Sequence, residues 1–194
     1  MTTTKRLLLS TLLLGSAAAA QPGSPPDLAA GPWDPPSRIE AERKAMEALA
    51  FLDGAWRGEA QTDTRPGNIV HTERSGTLLG GSIRLIEGHS YDNEGKTAFN
   101  ALGIISYDPV KHSYSMHSYA MGYASDFPLE VRPDGYSWTL PQGPGGPVRY
   151  TATVRNGEWV EIGQRISGGA KVFEMHLKRI GPSGWPAERA VPPR

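Results

Sequence analysis

Residues 148–165 read VRYTATVR, NG, EWVEIGQR: two eight-residue runs of alternating character on either side of Asn156-Gly157. A period of two is the mark of a strand, because successive side chains leave an extended backbone on opposite faces. Asn-Gly between two such runs is a strong hairpin signal, since both residues accept a left-handed backbone. Two registers compete here. A two-residue turn sets Val148, Tyr150 and Ala152 opposite Arg165, Gly163 and Glu161, which mixes apolar with charged side chains. A three-residue loop with a bulge, Gly157 alone being left-handed, sets them opposite Gln164, Ile162 and Val160. A slip of one residue exchanges the buried and solvated sides of a whole strand, and unpaired charges are costly to bury. The bulged register is therefore the expected one.

Continuing across Gly168-Gly169 as a two-residue turn brings Phe173, Met175 and Leu177 to the same face. Glu161, Arg165, Glu174, His176 and Lys178 are then expected outside, as a solvated charge ladder. At Pro133-Asp134 a two-residue turn pairs Phe127 with Leu140, Leu129 with Trp138 and Val131 with Tyr136, so the apolar residues meet.

The same two-residue period runs through most of the chain. Strands are expected near 55–62, 69–79, 82–91, 97–107, 112–121, 127–132, 136–141, 147–155, 158–167 and 170–180. Turn residues separate them: Gly80-Gly81, Asp92 to Gly95, Asp108-Pro109, Pro133 to Gly135, Gly143 to Gly146, Asn156-Gly157 and Gly168-Gly169. No gap admits a crossover helix, so neighbouring strands must be antiparallel. Ten strands in an open sheet would leave two long unpaired edges, and closure removes both. The expected fold is all-β, an antiparallel up-and-down barrel of ten strands with one N-terminal helix across a mouth or side. That helix starts at Ser37-Arg38-Ile39-Glu40, which has the form of a capping box, and ends at Gly54. Ile39, Met46, Leu49 and Ala50 form its apolar stripe.

The ends of the chain have another character. Lys5-Arg6, the apolar run Leu7 to Leu14, and the small residues Ala18 and Ala20 form an export signal, with cleavage expected before Gln21. Leu7 to Ala20 is too short to span a bilayer. Residues 21–37 hold six of the seventeen prolines and residues 181–194 hold four more, so both read as irregular tails around a folded unit at 38–180. A periplasmic or secreted protein is expected. Trp33 and Trp185 in the tails are expected to dock on the body.

Lysine plus arginine and aspartate plus glutamate each number 20 among 194 residues. Such a balance argues against a nucleic-acid partner, which calls for a basic excess. Cysteine is absent, which excludes disulfides, thiol catalysis, cysteine-bound zinc or iron–sulfur clusters, and a lipoprotein anchor.

Phe51-Leu52-Asp53-Gly54-Ala55-Trp56-Arg57-Gly58-Glu59 resembles the L-x-G-x-W-x-G opening of calycin-type barrels. Gly103 to Pro109, with Tyr114 closing the next strand, is similar to the family known as domain of unknown function 1579; Gly157 to Glu161 and Met175 to Arg179 are similar to it too. The likeness spans roughly 45–180 and implies a lipocalin-like barrel. The opening also resembles nitrobindin, a haem-binding barrel, which makes haem the alternative cofactor.

No catalytic residue set stands out: there is no G-x-S-x-G elbow, and the acids are scattered singly along the strands. His112 and His117, five apart, project to opposite faces of a strand, and His71 and His89 share a face only if the turn between them permits, so no metal site is expected. The run His112 to Met121 holds both His and Met, the side chains that bind haem iron axially, but spreads them over two mixed faces. The expected function is a non-catalytic barrel holding a small, mostly apolar molecule. Trp138, Tyr150, Ile162, Phe173 and Met175 line its lumen and Gln164 orients the ligand. The alternatives are a haem barrel, a filled interaction protein without ligand, and a barrel isomerase or hydrolase. The last would use an inward carboxylate or His, with Glu161 and Arg165 relevant only if the register slips.

Overall fold

A computed structural model describes residues 35–143 and 145–184. The export signal, residues 21–34 of the Pro-rich segment, Trp33, and the tail from Trp185 onward lie outside the described residues.

Helix α1 spans Pro35–Glu47, two residues ahead of the expected Ser37 cap, so residues 35–37 belong to the helix and not to a linker. Proline is tolerated in a first helical turn, where its missing N–H has no intrahelical acceptor to lose. The expected stripe is corrected as well. Ile39 is 42% exposed and Ala50 is exposed, whereas Met46, Leu49 and Leu52 are completely buried. Leu52 belongs to a short 3-10 turn, Ala50–Leu52, that follows the helix. Only the end of the helix and this turn cover the barrel.

Ten strands follow: β1 (Gly54–Thr62), β2 (Arg65–Leu78), β3 (Ile83–Tyr91), β4 (Thr97–Asp108), β5 (Ser113–Ala120), β6 (Tyr123–Arg132), β7 (Gly135–Leu140), β8 (Val148–Arg155), β9 (Glu158–Arg165) and β10 (Lys171–Gly181). Each pairs antiparallel with its sequence neighbours, and β1 pairs with β10 to close the barrel, Gly58 opposite Leu177 and Ala60 opposite Met175. The architecture is the expected up-and-down barrel, and none of the ten described strands is left as an unpaired edge.

The two ends of the barrel differ. At the end where β1 starts, Met46, Leu49 and Leu52 join Trp56, Ile105, Trp159 and Leu177 in one apolar cluster. Each such residue, fully covered, contributes roughly 1.5–3 kcal/mol. Two polar groups find local partners: Trp56 Nε1 donates to the Leu52 carbonyl at 2.9 Å, and the Tyr114 hydroxyl donates to the Ala45 carbonyl at 2.9 Å. Arg84, also inside, is paired with Asp53 at 2.5 Å. Trp56 is the tryptophan of the barrel-opening motif, and it is packed edge-on against Trp159 beneath the Arg179 guanidinium. This end is plugged.

At the other end the inward face stays wet. Phe99, Ser125, Trp138, Tyr150 and Phe173 share their strand faces with buried residues, yet all are partly or largely exposed. Alternation directs them into the barrel, so solvent reaches them through its mouth. The inward face is packed on the helix side and partly solvent-exposed toward the far rim.

The β6–β7 hairpin has the expected register, with Glu130 opposite Ser137 and Val131 opposite Tyr136. The β8–β9 hairpin does not. Val148 pairs with Arg165, Tyr150 with Gly163 and Ala152 with Glu161, which is the two-residue register. Asn156 and Gly157 both have positive φ, 54° and 76°, as a type I′ turn requires. A bulge is unnecessary because Asn, more than most non-glycine residues, tolerates the left-handed region. The β9–β10 pairing is displaced by one in compensation, with Met175 opposite Glu161 and Phe173 opposite Gly163. Strands β8 and β10 therefore keep their expected faces, and β9 alone is reversed.

Candidate functional site

Reversal of β9 decides what faces the lumen. Trp159, Glu161 and Gly163 point inward and are buried, whereas Ile162 points outward and Gln164 is exposed on the outer face. The expected inward placement of Ile162 and Gln164 is thus corrected, and so is the expected outward placement of Glu161. Arg165 also turns to the inner face, at the rim, where it pairs with Asp63 at 3.1 Å. Glu174 and His176 do lie outside, joined by a hydrogen bond of 3.0 Å, and Lys178 is exposed beside them.

Four of the six expected lining residues come together: Trp138, Tyr150, Phe173 and Met175. Trp138 and Tyr150 are stacked, their ring centres 4.4 Å apart and their planes 8° from parallel. Phe127 extends the row at 4.9 Å from Trp138, and Phe173 at 5.8 Å from Tyr150. Gly163 makes the row possible, since a Cβ there would lie 2.8 Å from the Tyr150 ring. Met175, fully buried, packs in the filled part below.

Glu161 sits beside this row, only 7% exposed. One carboxylate oxygen accepts from the Trp138 indole N–H and the other from the Tyr136 hydroxyl, both at 3.1 Å. Burial pushes its carboxyl up to about 7, and the nearby Glu73 charge adds to that; the Trp138 and Tyr136 hydrogen bonds and His71 oppose it. Tyr136 is raised well above the ordinary phenol value, first by burial and then by the charges of Glu161 and Glu73.

A second polar group on β2 and β3 also faces the lumen. Buried His71 has Nδ1 2.7 Å from the Ser90 hydroxyl and Nε2 2.9 Å from the Glu73 carboxylate. Gly88 leaves room for that carboxylate, because a Cβ there would lie 2.6 Å from Glu73 Oε1. The other oxygen, Glu73 Oε2, is buried without a hydrogen-bond partner, and so is the indole N–H of Trp159. Such groups ordinarily find partners.

Sequence reasoning missed Glu161, Tyr136, Glu73, His71 and Ser90 as one interior group. The available signal was Asn156-Gly157 itself, whose natural turn turns Glu161 inward. Tyr136 and Trp138 offset part of the burial cost, since a hydrogen-bonded acid is far cheaper to bury than a bare one.

His71, His117 and His176 are not placed to bind a haem iron inside the barrel. Both ring nitrogens of His71 are engaged, His117 is on the outer face with Nδ1 2.6 Å from Asp126, and His176 is outside with Glu174. Among the described residues no cluster of three or more His, Asp or Glu side chains could hold a metal ion. No described helix is long and apolar enough to cross a membrane. No protein-family model matches the chain, and no curated protein matches its sequence.

Proposed function

We propose that the barrel holds a small, mostly apolar molecule in the open half of its lumen, without catalysis, as an exported protein. One observation carries this reading: the aromatic row Phe127–Trp138–Tyr150–Phe173 runs to a buried acid, Glu161, which Trp138 itself holds in place. Small-molecule sites are typically apolar and aromatic surfaces with a few fixed polar groups, and this wall has that composition. Glu161 takes the orienting role first expected of Gln164. The resemblance of Leu52 to Gly58 and Gly103 to Pro109 to the calycin-type and unknown-function family supports the same reading. Lys5-Arg6, the Leu7–Leu14 run and Ala18/Ala20 support export with cleavage before Gln21.

Native mass spectrometry of protein recovered from its own host tests the proposal. A retained small molecule, lost in Trp138→Ala, is the expected result. A bare mass, together with no uptake of the neutral dye Nile red, would overturn it in favour of a filled interaction protein. N-terminal sequencing that found Met1 on the recovered chain would overturn the export component.

Glu161 also favours a second reading, a barrel enzyme that moves a proton. A carboxyl poised near 7 in a dry site is a suitable general base at neutral pH. The Kemp elimination of a nitrobenzisoxazole reports that capacity: the base takes the ring C–H proton as the N–O bond breaks to a nitrile phenolate. Turnover lost in Glu161→Gln and rising with pH through about 7 would favour the enzyme. A rate no greater than that of free carboxylate would remove it.

A further inference from the structure

We propose that the lumen site selects a protonated amine on an apolar or aromatic body, with the ammonium between Glu73 and Glu161 and the body against the Trp138–Tyr150 row. This rests on the ligand-binding reading above.

Three observations converge on it. Glu73 spends one oxygen on His71 and leaves Oε2 buried with no donor, a vacancy that an N–H group of a ligand fills. The donors around Glu161 are arranged for its ionised form: Trp138 N–H and Tyr136 O–H both point at it, each at 3.1 Å. The third is the charge balance. Arg84 and Arg165, both on the inner face, are paired with carboxylates other than these two, Arg84 with Asp53 at 2.5 Å and Arg165 with Asp63 at 3.1 Å. His71 is the remaining basic group beside the pair. Glu73 and Glu161 repel one another, and a cation between them turns that repulsion into two attractions. An anionic ligand would meet two acids, and a purely apolar one would leave Glu73 Oε2 unpaired.

Isothermal titration of the folded chain with tryptamine, tryptophol and indoleacetate tests the idea, because the three share one ring body and differ in head-group charge. Tryptamine should bind at least about tenfold more tightly than tryptophol, with indoleacetate weakest. Glu73→Gln and Glu161→Gln, each checked for cooperative melting, should bring tryptamine and tryptophol toward equal affinity while tryptophol changes by less than about threefold. Equal binding of tryptamine and tryptophol to the unaltered protein, or preference for indoleacetate, would overturn amine selection and leave the lumen reading standing. So would uptake of Nile red with no binding of tryptamine. If neither Nile red nor any of the three probes entered, both readings would fall together.

Discussion

The helix-side half of the barrel and the open half are built from the same ten strands, yet they solve opposite problems. On the helix side, Trp56, Trp159, Ile105 and Leu177 interdigitate with Met46, Leu49 and Leu52, and these residues are almost completely removed from water. On the open side, equally large rings at Phe99, Trp138, Tyr150 and Phe173 remain in reach of solvent, and acids replace aliphatics between them. The first half carries the packed core, and the second carries the rings that solvent reaches. A wet aromatic surface contributes little to folding, and an acid such as Glu161 subtracts from it, so neither is accounted for by packing alone.

The comparison can be broken by substitution. Trp56→Ala should cost the most, roughly 3–5 kcal/mol, because it leaves a large cavity in the plugged half. Urea unfolding would measure it. A cost no greater than that of Trp138→Ala would mean that the halves are energetically alike.

Next in size is the pH response of Glu161. Its carboxyl is raised from 4.5 to about 7, so the folded state holds a proton that the unfolded chain has already released between those values. The contribution of Glu161 to stability is therefore greatest below 4.5, falls as pH rises toward 7 and then levels, a loss of roughly 3 kcal/mol. Glu161→Gln should remove that slope and melt higher than the parent at pH 8. Surface Asp108 acts with the opposite sign: the backbone N–H groups of Lys111 and Val110 hold it below the usual carboxylate range, so its contribution is lost as pH falls. A melting temperature that rose between pH 5 and 7.5 would place the Glu161 carboxyl outside the barrel.

Trp138→Ala should cost about 2 kcal/mol, less than the Trp56 change, because the ring is only partly buried and what is lost is its stacking on Tyr150 and its hydrogen bond to Glu161. Nile red binding should disappear with it. Retained binding would move recognition away from the aromatic row.

The smallest effect is expected at Gln164. On the outer face its replacement by Ala should change stability by less than about 0.5 kcal/mol and leave ligand binding intact. Loss of binding there would restore the bulged register for β9.

Two hairpins show how much was legible in the chain. At Pro133-Asp134 both runs are apolar on one face, so only one register buries like against like, and pattern alone finds it. At Asn156-Gly157 the pattern and the turn disagreed. Apolar matching favoured Ile162 and Val160 inside, whereas the preference of Asn-Gly for a type I′ turn favoured Glu161 inside, and the turn prevailed. Matching assigned every charge the same burial cost, and that cost depends on partners from β7 that are distant in sequence.

Alternation and turn residues by themselves determined the strand count, the antiparallel order, closure into a barrel and the lining contributed by β7, β8 and β10, because these follow from local geometry and from the need to pair every edge. The tertiary structure alone decided that Glu161 could face inward, since Tyr136 and Trp138 become its donors only once β7 and β9 flank β8 in the closed wall. It also decided that His71, Ser90 and Glu73 would share the interior with it, because that needs the β2–β3 pairing to set His71 opposite Ser90 and the barrel to bring Glu73 within electrostatic reach of Glu161. A side chain's face is a property of its own strand, but the free energy of burying it there is a property of what the other strands bring to meet it.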